Sequence, residues 1–599
     1  MSATEDHKDP AKDKNPGHSF HAEAFNEGPR QAAYLMQGMG NVHWKISTES
    51  PMAQRFFDQG ISQLHGFWYF EAERSFRQAA SIEPDRAIFY WGMARANTEN
   101  PERSAGFIEQ AMKRIDKSSP LERRLIEAWS RRVKDWPKPP EEKKEGDKDT
   151  AKSESKGKKK PNVTDEVRDK RKERFKAYAR ELDEIVQDYP EEIELKAMLV
   201  LQLWQNQSQG HDIQSYTALD SLLEDIFRRN PRHPAHHFRI HLWDYRKEKL
   251  AIKAAAECGP SAPGIAHMWH MPGHTYSRLN RFVDAVWQQE ASARTDHARM
   301  MRDRLLPDQI HNFAHNNEWL IRNQIFLGQL GAAQKLALNM LELPRHPKYN
   351  LVSKEGCSTS YGRQRLMQVL QAGELWEETL RLAATPYLEE TDVPREQVAW
   401  HRMVGRAAYR LGREAEGDQQ HSTLAERLCE KQAERNTAIL NAEKEARAAG
   451  KNPEEITKAG TEAGDRLRGD IEPIERAIQE LETLRLAADD RWADAVRITE
   501  SGHDLDAFWL ARLYLHAGQP DKAIEKLQER VNAEPQSTLP LAHLAHTQWR
   551  LGRLHEARAT LEKLQAISSH LDLDAPPFAR LAPLAAQCGW DRDWRGTWQ

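Results

Sequence analysis

The chain reads as all-α, an array of helix–turn–helix repeats from which a charged helical hairpin protrudes. Strand signals are missing: no run of four or more residues alternates Val, Ile or Thr with polar residues, and no Asn-Gly or Asp-Gly turn joins two such runs. Ala, Glu, Arg, Leu and Gln, which lose little side-chain freedom in a helix, are abundant. At 599 residues, with 39% apolar and 30% charged side chains, the chain is too long for one compact core and suits an extended array of small units.

Taken in order, residues 1–17 are a charged, apolar-poor tail that cannot offset its ordering entropy and reads as disordered. Residues 18–136 form an N-terminal segment and the first repeats. There, "FFDQGISQLHGFWYFEAERSFRQAASIEP" places Gly60, Ala72, Phe76, Ala79 and Pro84 so that small residues let two helices approach and the proline stops the second. Residues 137–163, "PKPPEEKKEGDKDTAKSESKGKKKPNV", repeat the composition of the tail and read as a disordered linker. Repeats resume over 164–421. Residues 422–486 read as two long charged helices around a Gly-Lys-Asn-Pro turn, a hairpin standing off the array. Residues 487–599 return to repeats, with Gly518 to Gly552 and Ala523 to Ala557 each 34 apart.

These residues resemble the tetratricopeptide-repeat family, whose unit is a 34-residue helix–turn–helix. The resemblance covers 53–115 and 505–567, and more loosely 265–300, where Trp269, Gly273, Tyr276 and Ala285 sit at consensus offsets, and 400–420. "HMPGH" at His270–His274, with the later "HNFAH", is similar to a bacterial subset carrying a His-Met-Pro-x-His stretch in a repeat. The resemblance implies a right-handed superhelical solenoid with first helices lining a concave face, and a protein or peptide partner. It implies no activity.

The chemistry-bearing feature is histidine. Ten of the 25 histidines fall between His233 and His315, and they pair at four-residue spacing: His233/His237, His237/His241, His270/His274 and His311/His315. Residues four apart share a helix face, close enough for two imidazoles to grip one ion. His237 to His270 and His241 to His274 are both 33 residues, and His311 follows His274 by 37, so the pairs keep the repeat register. The expected ligands are His237, His241, His270, His274, His311 and His315. Imidazole nitrogen suits Zn, Fe, Cu or Ni. Asp244, Asp308 and Glu318 are candidate supporting carboxylates, and Trp269, Tyr276 and Trp319 candidate pocket walls. Against this stands the bland reading of satisfied core or groove histidines. Pro272 also raises the expectation of a new helix start that would leave His270 in the preceding turn. His18, His21 and Glu23 could fold into the groove, though a polar tail is the simpler reading. His65 and the aromatics Phe67 to Phe70 read as core and groove lining.

Function classes narrow accordingly. A net charge of −4 offers no whole-chain footprint for nucleic acid. No 18-residue apolar stretch or signal-peptide core is present, so the expectation is a cytoplasmic protein without a membrane span, or an exported one if its leader has been trimmed. The four cysteines, far apart, read as buried free thiols. No GxSxG, GxxxxGK[ST], GxGxxG or HExxH stretch occurs, and "HMPGH" lacks the glutamate that serves as base between zincin histidines. Two functions remain: an interaction scaffold with a metal-binding site, or a metal-dependent hydrolytic or oxidative enzyme using the same histidines.

Overall fold

The computed structural model describes residues 32–138, 164–310, 312–500, 502 and 505–596. The expected tail at 1–17, most of the 137–163 linker, His18, His21, Glu23 and His311 lie outside them. Among the described residues the chain is helical, with one isolated bridge between His346 and Asn350 and no strand. No described helix is long and apolar enough to cross a membrane. It divides into two compact units: residues up to Leu279 with Trp287–Phe313, and Asn280–Val286 with Ala314–Gln599.

The first unit begins with α1 (Pro51–His65), α2 (Tyr69–Ile82), α3 (Ala87–Arg95), α4 (Pro101–Met112), α5 (Pro120–Val133) and α6 (Asp165–Asp188). It continues with α7 (Ile193–Asn206), α8 (Tyr216–Arg229), α9 (His236–Trp243), α10 (Ile252–Ser261), α11 (Ala266–Arg278) and most of α12 (Phe282–Asp303). Consecutive helices from α1 to α11 pack pairwise. Caps sharpen the starts: Ser50 accepts from the Ala53 amide, and Ser119 and Glu122 form a reciprocal capping box. Close packing needs the small residues the sequence supplies. A Cβ at Gly60 or Gly92 would come within 2.6 and 2.5 Å of the Phe76 ring, so Phe76 is gripped between α1 and α3.

The second unit holds α13 (Phe313–Leu327), α14 (Leu330–Glu342), α15 (Ser358–Ala372), α16 (Trp376–Ala383), α17 (Pro394–Arg410) and α18 (Glu414–Ala448). Then come α19 (Pro453–Asp465), α20 (Arg468–Ala488), α21 (Trp492–Glu500), α22 (Ala507–His516) and α23 (Pro520–Ala533). It ends with α24 (Thr538–Arg550), α25 (Leu554–Ala566), and the short α26 (Pro576–Ala579) and α27 (Ala582–Gln587). Gly518 and Gly552 both adopt left-handed backbone at +75° and +72°, ending successive first helices identically. The charged hairpin is there, with altered limits. Its outgoing arm is the 35-residue α18, which starts at Glu414 because no proline separates the preceding repeat from the arm; its return arm is split into α19 and α20 near Arg466–Leu467. The tip carries a capping box between Asn452 and Glu455. Of the cysteines expected to be buried, Cys258 and Cys357 are, whereas Cys429 is exposed on the arm and Cys588 is half-exposed.

Candidate metal centre

Six histidines of the first unit, His65, His237, His241, His267, His270 and His274, gather where the end of α1 meets α9 and α11. α1 stops at His65, and Gly66 lets that end approach α11, since a Cβ there would lie 2.8 Å from Ile265. Phe67 then takes a left-handed φ of 55°, rare for a large side chain, which sets its ring among the imidazoles. It stacks on His241 at 5.4 Å and His267 at 5.8 Å, and meets His237 edge-on at 4.4 Å. Trp204 of α7 closes over His241 at 4.4 Å.

Within this setting the two register pairs are intact. His237 Nε2 and His241 Nε2 are 2.9 Å apart on α9, and His270 Nε2 and His274 Nε2 2.7 Å apart on α11. α11 runs unbroken through Pro272, so His270 does not fall into a preceding turn; proline forfeits one backbone bond, and the packed helix carries it. His267 bridges the pairs, its ring 4.8 Å from His237 and 5.7 Å from His270. Five imidazoles therefore form one continuous row.

Each pair has a tautomer fixed from behind. His237 Nδ1–H donates to the His65 carbonyl (2.6 Å). His270 Nδ1–H donates to Gln289 Oε1 (2.7 Å), and Gln289 Nε2–H donates back to the His270 carbonyl (3.1 Å), which fixes the amide's orientation. Both rings thus aim an Nε2 lone pair at their partner, the arrangement by which outer contacts orient imidazole ligands. Burial holds His237 down to about 4 and His241 well below its ordinary value, with neighbouring imidazoles adding to the effect. Neutral imidazole is the metal-binding form. The ligand atoms of His237, His241 and His267 all lie within 4.8 Å of one another. Tetrahedral zinc needs nitrogens about 3.3 Å apart, given Zn–N bonds of about 2.0–2.1 Å. The 2.9 Å pair would open by a few tenths of an ångström and exchange a shared proton for the ion.

The supporting residues expected from sequence have other duties. Asp244 accepts from Thr275 Oγ1 and Arg278 Nε, both at 3.0 Å, so it ties α9 to α11. Burial raises its pKa, opposed by Arg278. Trp269 covers Gly259 and donates to the Pro263 carbonyl at 3.0 Å, while Tyr276 is buried within α11. Asp308, in the turn Pro307–Gln309, keeps Oδ1 buried with no hydrogen-bond partner. In the second unit, α13 carries His315, Glu318 and Trp319. His315 Nδ1 lies 3.3 Å from Glu318 and its ring 6.3 Å from Trp319, and Glu318 also pairs with Arg365.

Beside the imidazole row sits a second buried group that sequence reasoning passed over. Glu194 of α7 is held between His65 Nε2 (2.6 Å) and His233 Nε2 (2.9 Å), all three fully buried. The Ala235 amide donates to His233 Nδ1 at 3.0 Å, so His233 presents Nε2–H to the carboxylate. Burial alone would raise Glu194, but the two imidazoles hold it well below the carboxylate range. His267, Gln289 and Glu194 left no four-residue signature. His267 precedes His270 by three residues, a same-face spacing that could have been counted.

The fold's relationship rests on its C-terminal repeats. Over α21–α25 the helices pair as hairpins, Ala523 and Ala557 are fully buried at their crossings, and a family model described as "Anaphase-promoting complex, cyclosome, subunit 3" matches residues 491–564. Over those residues the helical hairpins keep the 34-residue spacing of tetratricopeptide-type repeats, from Gly518 to Gly552 and from Ala523 to Ala557. Among solved structures it is similar to the human IFIT1 dimer with m7Gppp-AAAA, at 12% identity over 87% of this chain and 91% of that one, TM-score 0.25. It is similar also to the APC/C hetero-tetramer Cut9–Hcn1, at 11% identity over 88% and 96%, TM-score 0.23. Yeast Tom70 gives 12% identity over 90% and 97%, TM-score 0.21. No curated protein matches the chain in sequence.

Proposed function

We propose that the protein is a tetratricopeptide-repeat scaffold for a protein or peptide partner whose first unit binds a transition metal through His237, His241 and His267, with the His270–His274 pair beside them. The observation that carries this is the convergence of three imidazoles, their ligand atoms within 4.8 Å, with His237 and His241 kept neutral by burial and the His237 lone pair aimed inward by its bond to the His65 carbonyl. Zn, Fe, Cu and Ni fit the all-nitrogen donor set. Binding is favoured over metal-assisted hydrolysis because the two carboxylates bonded to α9 and its flanks are engaged: Asp244 by Thr275 and Arg278, Glu194 by His65 and His233. A free general base is what hydrolysis would require.

The test is elemental analysis by inductively coupled plasma mass spectrometry on protein purified without tag or chelator. Stoichiometric transition metal in the wild type, lost in His237→Ala/His241→Ala and kept in the exposed-site control His297→Ala, supports the reading. No metal bound, even after adding each of the four ions back, overturns it.

A further inference from the structure

The second unit contains a concavity of about 790 Å3, lined by residues between Arg322 and Arg580. Eight arginines face it against four carboxylates, in a chain whose overall charge is −4. The excess is concentrated at one end. Arg410 ends α17, Arg512 lies on α22, Arg550 ends α24, and Arg580 follows α26. Glu374 is the carboxylate among them: it pairs with Arg580, and at 3.9 Å with Arg410. Among the described residues no carboxylate lies within ion-pair distance of Arg512 or Arg550, and both are solvent-exposed. Two of the four guanidiniums thus share one carboxylate and the other two pair with none.

The surroundings show that these charges act on one another. Arg410 is pushed down to about 10, first by burial and then by Arg512. Its guanidinium also lies over the rings of Trp376 (5.5 Å) and Trp509 (5.0 Å), which hold it in place. On α24, His543 is held at about 3 and His546 at about 4, by burial first and by Arg580 next, so both are neutral and add donors without adding charge. His543 is fixed by stacking on Phe508 at 4.2 Å. Mutual repulsion among fixed cations costs free energy that a multiply charged anion would relieve, and guanidinium forks match carboxylate and phosphate oxygens two at a time. The volume lies within the range of about 300–1,000 Å3 typical of small-molecule sites. A concave, one-signed lining also concentrates field lines on an approaching anion.

We propose that the concavity of the second unit is a binding site for a small organic polyanion bearing carboxylate or phosphate groups, with Arg512 and Arg550 as the unpaired cations that engage it and Arg410 and Arg580 behind them. The site is independent of the imidazole row. Its ligand is recognised by charge and fork geometry, and the aromatic walls of Phe508 and Trp509 accommodate its carbon frame.

The experiment is isothermal titration calorimetry on the full chain with two probes, pyrophosphate and citrate, at about 50 and about 300 mM salt, since exposed cations are screened at the higher value. Saturable binding that weakens with salt and falls at least about tenfold in Arg512→Gln/Arg550→Gln supports the proposal; whichever probe binds more tightly identifies phosphate or carboxylate as the preferred group. Both substitutions are at exposed side chains, and circular dichroism on the double variant checks that it folds. Arg410→Lys is the second variant, expected to weaken binding while keeping the charge. No saturable binding of either probe, or binding unchanged in the folded double variant, overturns the proposal.

Discussion

Glu194→Gln is the perturbation that best tests the buried chemistry of the first unit. Gln is isosteric, so packing is kept and only charge and donor pattern change. In the wild type the carboxylate accepts from His65 at 2.6 Å and His233 at 2.9 Å. Because the Ala235 amide occupies His233 Nδ1, His233 must keep donating from Nε2, and the amide oxygen of Gln must face it. The amide nitrogen then faces His65, whose Nε2 must give up its proton and accept. One charge-assisted bond becomes neutral and the other survives only through a tautomer change. With bonds to charged groups worth about 1.5–3 kcal/mol, the substitution should cost about 2–3 kcal/mol, against about 3–5 kcal/mol for Glu194→Ala, which strands two buried donors. Hydrogen exchange read on peptides covering α1 and α7 measures this as a drop in local opening free energy. The pH dependence has a definite sign. The folded pKa of Glu194 lies below its unfolded value, so its stabilisation is complete above about pH 4.3 and declines as acid protonates the folded carboxylate. The gap between wild type and Gln variant should therefore shrink on acidification. Equal exchange in the two proteins at pH 7 would refute the account of the triad as a charged clamp.

Asp244→Asn should destabilise the first unit by about 1–3 kcal/mol by weakening the α9–α11 tie while leaving metal content unchanged; loss of metal on elemental analysis would make Asp244 a ligand instead. Gly60→Ala and Gly92→Ala should each lower the melting temperature, because overpacking of about 1–3 kcal/mol against Phe76 outweighs the gain of about 1 kcal/mol in helix propensity. Adding Phe76→Leu should recover part of the loss, and melting curves of the double variants check it. His236, held at about 4 first by burial, stays neutral in the folded unit, so the wild type loses stability as pH falls from about 6.5 towards 4. His236→Gln should lessen that slope by about 1.4 kcal/mol per pH unit in urea titrations across the window.

Much of the fold was legible because repeat signals are local. The small residues at Gly60, Ala523 and Ala557 mark helix crossings wherever they occur, and Gly518 and Gly552 mark the turns. Hairpin limits were less legible, since nothing in the residues after Gly412 distinguishes a repeat's second helix from the arm that continues it. At the candidate site, the register of His237, His241, His270 and His274 was readable from spacing, and the structure gathers those four in one row with His267. What spacing could not convey was the left-handed turn at Phe67, enforced by tertiary packing, or the purpose of Asp244, which depends on where α11 sets Thr275 and Arg278. The arginine concavity was hidden for a related reason: its four cations come from distant segments and vanish in a chain-wide charge of −4.

The bond from His237 to the His65 carbonyl spans 172 residues of sequence. A chain emerging from the ribosome exposes His65 long before its partner exists, and the ordering entropy of that closure must be met before the contact contributes anything. The imidazole row consequently exists only once α1, α7, α9 and α11 are all in place. A nascent or partly unfolded chain would hold the same histidines as isolated side chains with little preference for a metal. Metal capture would then report that the first unit has finished folding.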